Sequence, residues 1–313
     1  MRAIILNEPG EVNQLHYTEI PQPEPLENEV LIKVKAISIN PVDVKTRAGK
    51  GVYGRLKEES PLIIGWDISG VVEKTGSKVT QFKKGDAVFG MVNFPGHGKA
   101  YAEYVAAPET HLALKPANVS FEEAAAATLV ALTAYQALVH HAKVQAGQNI
   151  LVHAASGGVG HIAIQIAKYL GAAVTGTSSL KNKEFVLGLG ADKHIDYNTY
   201  DWNSHQDSFD FILDTIGGDN IDKSIEVTKK GGTLISIPTG LNEKVAKKAK
   251  MKGIEGYFIL VQSNGEDMKA IANLLEKGII KPFVSETFPF DKMKEAHLQQ
   301  ETGRTKGKII ITL

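Results

Sequence analysis

Alternation of apolar and polar residues dominates the first third of the chain. Val30-Leu31-Ile32-Lys33-Val34-Lys35-Ala36 has the two-residue period of a half-buried strand. Runs over 68–73, 85–90 and 101–106 repeat the style, and a Thr75-Gly76-Ser77 turn follows the first of them. The opening Met1-Arg2-Ala3-Ile4-Ile5-Leu6 reads as one more strand before Asn7-Glu8-Pro9-Gly10. Residues 1 to about 120 therefore predict a compact β-rich barrel.

At Ser120 the pattern changes. Ser120-Phe121-Glu122-Glu123 has the spacing of a capping box, and alanine-rich helical sequence continues to about Val144. Beyond it, short apolar strands over 149–153, 173–177, 194–196, 209–214 and 233–237 alternate with helical patterns over 160–170, 181–189 and 219–228. Such alternation predicts a parallel, doubly wound sheet, an α/β fold. A further helix is expected over 268–277, and a strand over 308–313.

The chain's chemistry concentrates in Asn149-Ile150-Leu151-Val152-His153-Ala154-Ala155-Ser156-Gly157-Gly158-Val159-Gly160-His161. An apolar strand runs into a glycine-rich turn and then a helix, the layout of a dinucleotide phosphate site. Gly157 lets backbone approach a pyrophosphate. Gly160 lets the helix pack close to the sheet, and the turn 157–160 ends in unpaired N–H groups at a positive dipole end. Ala155 replaces the first glycine of the usual fingerprint.

The end of the second strand bears on which dinucleotide. An NAD site places a carboxylate there to take the ribose hydroxyls. This chain reads Thr177-Ser178-Ser179-Leu180-Lys181-Asn182-Lys183, with no carboxylate before Glu184. Hydroxyls and ammonium groups at Ser178, Ser179, Lys181 and Lys183 suit a 2′-phosphate, so NADP(H) is expected.

Composition removes other function classes. The 313 residues suffice for two ordinary domains. Thirty-five basic and 35 acidic residues leave no net charge to attract nucleic acid or an acidic membrane. The five lysines within 244–252 read as a solvated helix face or loop. Cysteine is absent, which excludes disulfides, thiolate metal sites and cysteine nucleophiles, and fits a reducing compartment. The N-terminal apolar run is too short for a signal peptide, and no apolar segment approaches a membrane span, so a cytoplasmic location is expected.

Several ordered motifs carry a family resemblance across essentially all 313 residues. They are Asn40-Pro41-Val42-Asp43-Val44-Lys45-Thr46-Arg47, Pro61-Leu62-Ile63-Ile64-Gly65-Trp66-Asp67-Ile68-Ser69-Gly70 and Lys84-Gly85-Asp86-Ala87-Val88. Leu132-Thr133-Ala134-Tyr135, the glycine turn and Gly307-Lys308-Ile309-Ile310 complete the set. With these the chain resembles the medium-chain dehydrogenase/reductase superfamily, in its zinc-independent quinone-oxidoreductase (zeta-crystallin-like) branch. The resemblance implies a GroES-like β-rich barrel domain over 1–120, rejoined by 262–313, and a Rossmann NADP-binding domain over 121–261.

Zinc-dependent members of the superfamily carry a Cys near Pro41 or Val42 and a Gly-His-Glu where this chain has Gly65-Trp66-Asp67. Without thiolates or that histidine, the Lewis acid of alcohol oxidation has no ligands, and no metal is expected. The adjacent His140-His141 pair does not help, because neighbours on a helix point about 100° apart. What remains is hydride transfer to a quinone or to the β-carbon of an α,β-unsaturated carbonyl. Charge then spreads onto an oxygen that modest hydrogen-bond donation can hold.

By the same resemblance, Tyr53 and Asn40 line the substrate cleft as donors or positioners, and Lys45 contacts the cofactor. Thr133 lies beside the nicotinamide, and Tyr197 covers the adenine or its 2′-phosphate. Ile216 sits at a strand tip facing the ligand crevice, Ser236 and Ile237 offer backbone partners to the carboxamide, and Arg304 and Thr305 return to the cleft. Two other readings stay open: an enoyl-thioester reductase, for which Lys50 and Arg55 are the available basic residues, and a cofactor-binding sensor with little catalysis. The apolar segment 254–260 matches an edge that pairs two cofactor sheets in the family, so a homodimer is expected.

Overall fold

The computed structural model describes residues 1–202, 208–237 and 242–313. It comprises two compact units, Met1–Leu132 with Val261–Leu313, and Thr133–Leu260.

The first unit begins with an antiparallel pair, β1 (Arg2–Leu6) and β2 (Leu15–Glu19). β3 (Glu29–Ile39) then runs as the longest strand through the middle of a larger sheet with β4 (Asp67–Thr75), β5 (Ala87–Met91), β6 (Tyr104–Pro108) and β7 (Leu112–Leu114). Alternation predicts a half-buried β3, yet Val30, Leu31, Ile32, Val34, Ala36, Ile37 and Ile39 are all buried. Lys33 and Lys35 occupy its middle, and apart from Glu29 at its start and the buried Ser38 near its end the strand is apolar on both faces. β5 begins two residues after the expected start, because Gly85 sits at φ 94° in a turn closed by Asp86 N–H to the Lys83 carbonyl (3.1 Å).

Ser120 caps the helix Phe121–Ala126 as its sequence predicts: its hydroxyl accepts from Glu123 N–H (3.1 Å) and Glu123 accepts from Ser120 N–H (2.9 Å). The helix packs in the first unit, with Ala125 and Ala126 against Ala36 and Ile310. The change of texture at Ser120 thus precedes the edge of this unit at Leu132. Helical propensity marks where a helix starts, not which core receives it. The helix expected to continue to Val144 is broken. Leu129–Tyr135 is a separate segment whose first N–H, on Leu129, donates to the buried Asp67 carboxylate (3.1 Å), and a π-helical turn, Gln136–His141, follows.

The second unit holds β8 (Asn149–Val152), β9 (Ala173–Ser178), β10 (Lys193–Asp196), β11 (Phe209–Asp214), β12 (Thr228–Ser236) and β13 (Glu255–Phe258). They form one parallel sheet in the order β10-β9-β8-β11-β12-β13. The order reverses between β8 and β11, so the crevice at their C-terminal ends is the switch point where such sheets bind ligands. Leu151, Ile212 and Leu234 from the sheet meet Ile221, Ile225, Val245 and Trp202 in its core.

After the second unit the chain adds β14 (Val284–Pro289) and β15 (Lys308–Thr312) to the first unit's sheet, β15 antiparallel to β3. Among the described residues, no helix is long and apolar enough to cross a membrane.

Candidate functional site

The glycine turn leaves β8 through His153 and Ala154, the latter at φ 45°. Ala155 N–H returns to the Thr177 carbonyl on β9 (2.8 Å), and Gly157 N–H closes on the Ala154 carbonyl (2.8 Å). The helix Gly158–Tyr169 starts immediately after, and no described side chain caps it. The first N–H groups of this helix therefore have no side-chain cap among the described residues, an arrangement that suits an anion. A Cβ on Gly160 would lie 2.3 Å from the Ala154 carbonyl oxygen and 2.8 Å from Ala155 Cα, so only glycine fits. Ala155 in the first glycine's place is accommodated from the next strand: a Cβ on Gly176 would lie 2.8 Å from the Ala155 methyl and 2.7 Å from Val186 Cγ1. A glycine inside β9 was the sequence signal for this close approach.

At the ends of β9 and β10, Ser178 is buried and Tyr197 half exposed (50%), with Tyr197 N–H directed to the Ser178 carbonyl (3.4 Å). Ser179 is half-buried, and Lys181 and Lys183 are exposed without an ion pair among the described residues. Asn182 Nδ2 donates to Ser156 Oγ (3.0 Å), which ties this segment to the glycine turn. His194, absent from the sequence expectations, places Nε2 2.8 Å from Ser178 Oγ.

At the switch point the polar groups are buried. His153 Nδ1 lies 3.1 Å from Thr177 Oγ1, and Nε2 3.1 Å from Ser224 Oγ. The Ser224 hydroxyl donates to the Asn220 carbonyl (2.8 Å), so the histidine is the Nε2–H tautomer. Burial pushes its pKa down to about 4, and it is neutral. Asp214 Oδ1 accepts from Ile216 N–H (2.8 Å) and Gly217 N–H (2.9 Å), which shapes the tip where Ile216 stands half exposed. Asp214 Oδ2 and Ser236 Oγ are buried without a hydrogen-bond partner among the described residues. At the expected backbone pair, Ile237 N–H donates to the Asp214 carbonyl (3.0 Å), and the Ser236 carbonyl accepts from Ile259 N–H (3.3 Å). A carbonyl can accept two hydrogen bonds, so acceptor capacity for a ligand amide is kept at this pair. Thr133 is buried.

In the first unit a buried polar cluster decides the fate of Asn40. Its Nδ2 donates to Asp67 Oδ2 (2.7 Å), and its Oδ1 accepts from Lys308 Nζ (2.5 Å). Its N–H donates to Asp43 Oδ2 (2.6 Å), and the residue is fully buried. Asn40 is therefore not a donor to substrate: both ends of its amide are spent inside the protein. Burial raises Asp67 to about 6, against the pull of Lys308; it raises Asp43 to about 8, with the Asp67 charge adding, and lowers Lys308. Next to it, Arg47 donates to the Gly10 carbonyl (3.0 Å), pairs with Glu301 and lies 3.3 Å from His297 Nδ1, whose Nε2 is 2.8 Å from the Tyr101 hydroxyl. The signal for this cluster was a charge inside an apolar run, as in Gly307-Lys308-Ile309-Ile310.

Tyr53 is different. It opens the short helix Tyr53–Leu56, half-buried, and its hydroxyl has no hydrogen bond among the described residues. Lys45 is exposed on the helix Pro41–Arg47, and Arg304 is exposed beyond the helix Met293–Glu301. Thr305 Oγ1 is buried without a hydrogen-bond partner among the described residues. Trp66 fills the position of a zinc-binding histidine, fully buried, with its ring N–H on the Gly96 carbonyl (2.7 Å). Among the described residues no group of three or more His, Cys, Asp or Glu side chains could hold a metal ion.

The second unit's donor set fits a dinucleotide: a cradle that a Cβ at 160 would fill, an uncapped helix start, orphaned polar atoms at Asp214 and Ser236, and unpaired lysines beside Ser178. Residues 26–117 match the family described as Alcohol dehydrogenase GroES-like domain, and residues 189–311 the family described as Zinc-binding dehydrogenase. The chain is 36% identical to the NADPH-dependent alkenal/one oxidoreductase (chloroplastic) of Arabidopsis thaliana, over 99% of this chain and 79% of that protein. It is 33% identical to the quinone oxidoreductase of Mus musculus, over 100% and 98%. The solved structure of the quinone oxidoreductase from Coxiella burnetii matches with a TM-score of 0.94 at 37% identity, covering 100% of this chain and 99% of that one. A shared fold and this identity over nearly whole chains show that the protein belongs to the medium-chain dehydrogenase/reductase superfamily, in its quinone-oxidoreductase branch.

Proposed function

We propose that the protein is an NADPH-dependent, metal-independent reductase of quinones and α,β-unsaturated carbonyls. The observation that carries the cofactor choice is the tip of β9: two serines and two unpaired lysines where an NAD site needs a carboxylate. When bound, the cofactor supplies the hydride that a quinone or the β-carbon of an enone accepts.

The chain's own residues bind and orient. The start of the helix Gly158–Tyr169 receives the pyrophosphate. Ser178, Ser179, Lys181, Lys183 and Tyr197 receive the 2′-phosphate, and Asp214 holds the tip at Ile216 in one shape. Tyr53 has a free hydroxyl to steady the oxygen that gains charge, and solvent supplies the final proton. The roles of Lys45, Thr133, Arg304 and Thr305 as cofactor contacts rest on the family resemblance alone. The absence of cysteine and the tryptophan at 66 support a reaction without zinc. β13 is the sheet's edge strand, and its open backbone side supports a homodimer built across it, testable by light scattering.

The test is NADPH and NADH oxidation against a panel of 1,4-quinones, small enones, alkenals and enoyl-CoA, with and without a strong chelator. Turnover of quinones or enones with NADPH preferred, unaffected by chelation, is the expected result. Turnover confined to enoyl-CoA would reassign the protein to thioester reduction. Tight NADPH binding without turnover on any member would favour the sensor.

A further inference from the structure

Asn182 does not use its side chain where its place in the chain puts it. It stands at the N-cap of the helix Lys183–Gly188, where an asparagine ordinarily accepts from the first N–H groups of its own helix. No such side-chain bond forms. Its Nδ2 instead donates to Ser156 Oγ (3.0 Å), 26 positions back in the glycine turn. The backbone of Asn182 is held separately: its N–H closes on the Ser179 carbonyl (2.9 Å) at the end of the turn Leu180–Asn182.

Ser156 is held as firmly. Ala155 N–H on the Thr177 carbonyl and Gly157 N–H on the Ala154 carbonyl, both 2.8 Å, pin the residues on either side of it. The uncapped helix Gly158–Tyr169 begins directly after Gly157. What is left to decide is the direction of one hydroxyl proton.

An amide NH2 can only donate, so Ser156 Oγ accepts from Asn182 and keeps its own proton to place. No acceptor for that proton is found among the described residues. A serine that receives a hydrogen bond from the protein is thereby made a donor toward a ligand. Phosphate oxygens of a dinucleotide only accept, and bonds from neutral donors to them are the strong, charge-assisted kind.

We propose that Asn182 is a positioning residue for the pyrophosphate: through Ser156 it sets a phosphate donor beside the helix start, and it does not serve the 2′-phosphate assigned to its neighbours Lys181 and Lys183. This rests on the dinucleotide reading given above. Recognition of the pyrophosphate then depends on a side chain outside the glycine motif, reached only across the gap between the two segments.

The experiment uses the full-length protein and follows the fluorescence of bound NADPH while ADP or 2′-AMP competes. ADP carries the pyrophosphate without a 2′-phosphate, and 2′-AMP the reverse. Asn182→Ala and Ser156→Ala should each weaken ADP about tenfold, the worth of one hydrogen bond to a charged group, and leave 2′-AMP within about twofold. The double variant should bind ADP no more weakly than Ser156→Ala alone, because the asparagine acts through the serine. Asn182→Asp separates polarity from mere contact. A carboxylate accepts the serine proton, so the hydrogen bond survives while the donor to phosphate is lost. The step from Asn to Asp should therefore weaken ADP more in the Ser156 protein than in the Ser156→Ala background, where only the added charge acts. Equal losses of ADP and 2′-AMP in Asn182→Ala would make Asn182 a support of its loop and overturn the proposal. Additive losses in the double variant overturn it too, as does an Asn-to-Asp step of the same size in both backgrounds. If ADP does not compete with NADPH in wild type, the dinucleotide reading falls and takes this inference with it. If ADP competes and 2′-AMP does not, only the preference for NADPH falls, and the ADP cycle decides the role of Asn182 by itself.

Discussion

Both units bury polar side chains, but they spend them differently. In the first unit, Asn40, Asp67 and Lys308 satisfy one another, and Arg47 is closed by Gly10, His297 and Glu301. In the second, the strand tips leave groups over: Asp214 Oδ2 and Ser236 Oγ have no partner among the described residues, the helix Gly158–Tyr169 is uncapped, and Lys181 and Lys183 are unpaired. A buried polar group with all its partners supports architecture, whereas a strand tip with spare donors and acceptors is set up for a ligand. Asn40 shows the value of the distinction. Its place in a family motif suggested substrate contact, and its filled hydrogen-bonding capacity excludes it.

The comparison breaks most sharply at Lys308. Lys308→Met leaves the buried Asp67 charge without its counterion and should cost about 3–5 kcal/mol in denaturant unfolding. Adding Asp67→Asn should recover part of the loss, because it removes the orphaned charge; strict additivity in the double-mutant cycle would mean that the two residues do not form a unit.

In the second unit, the counterpart is steric. Gly176→Ala should cost about 1–3 kcal/mol and weaken NADPH binding, as the new methyl meets Ala155 and Val186. Ala155→Gly in the same chain should restore part of both, since only one of its two contacts is relieved. No rescue would show that Ala155 and Gly176 do not compensate.

Acid separates the units by another route. His153 titrates near 4 in the fold and near its ordinary value when unfolded, so the unfolded state binds more protons between those values. Its contribution is present above about pH 6.5 and lost as pH falls, about 2 kcal/mol by pH ~5. His297 in the first unit behaves alike, with a pKa pushed down to about 3 by burial and by Arg47. There, however, the raised Asp43 and Asp67 take up protons in the folded state and oppose the loss. Hydrogen-exchange protection factors, which correct for the intrinsic pH dependence of exchange, should therefore fall more from pH 7 to pH 5 in β8 and β11 than in β3 and β4. An equal fall in both sets would contradict this difference.

The smallest effect on stability is expected at Tyr53. Tyr53→Phe removes a hydroxyl with no hydrogen-bond partner among the described residues, so unfolding should shift by less than about 0.5 kcal/mol. Turnover of quinones or enones should fall while NADPH affinity holds. An unchanged rate would remove Tyr53 from the mechanism.

Much of the second unit was legible along the chain. The strand-turn-helix at Asn149–Val152 and Gly158–Tyr169, the parallel alternation that follows it and the absent carboxylate after β9 are local signals, each carried by adjacent residues. His194 was not legible, because it meets Ser178 only through strand pairing across 16 positions. Lys308 and Asn40 stand 268 positions apart and still share a hydrogen bond. Their motifs were visible, but the meaning of Asn40 was not.

By itself, the sequence determined what depends on near neighbours: helix starts such as Ser120, the glycine turn, the lack of thiolate ligands and the chemistry offered after β9. Tertiary structure decided which polar groups are already spent. It filled the amide of Asn40, consumed the Ile237 N–H in the sheet, assigned the helix Phe121–Ala126 to the first unit and set His194 against Ser178. The reason is that a hydrogen bond saturates. Whether a donor remains for a ligand depends on every group that folding brings within about 3 Å, and chain spacing does not encode that inventory.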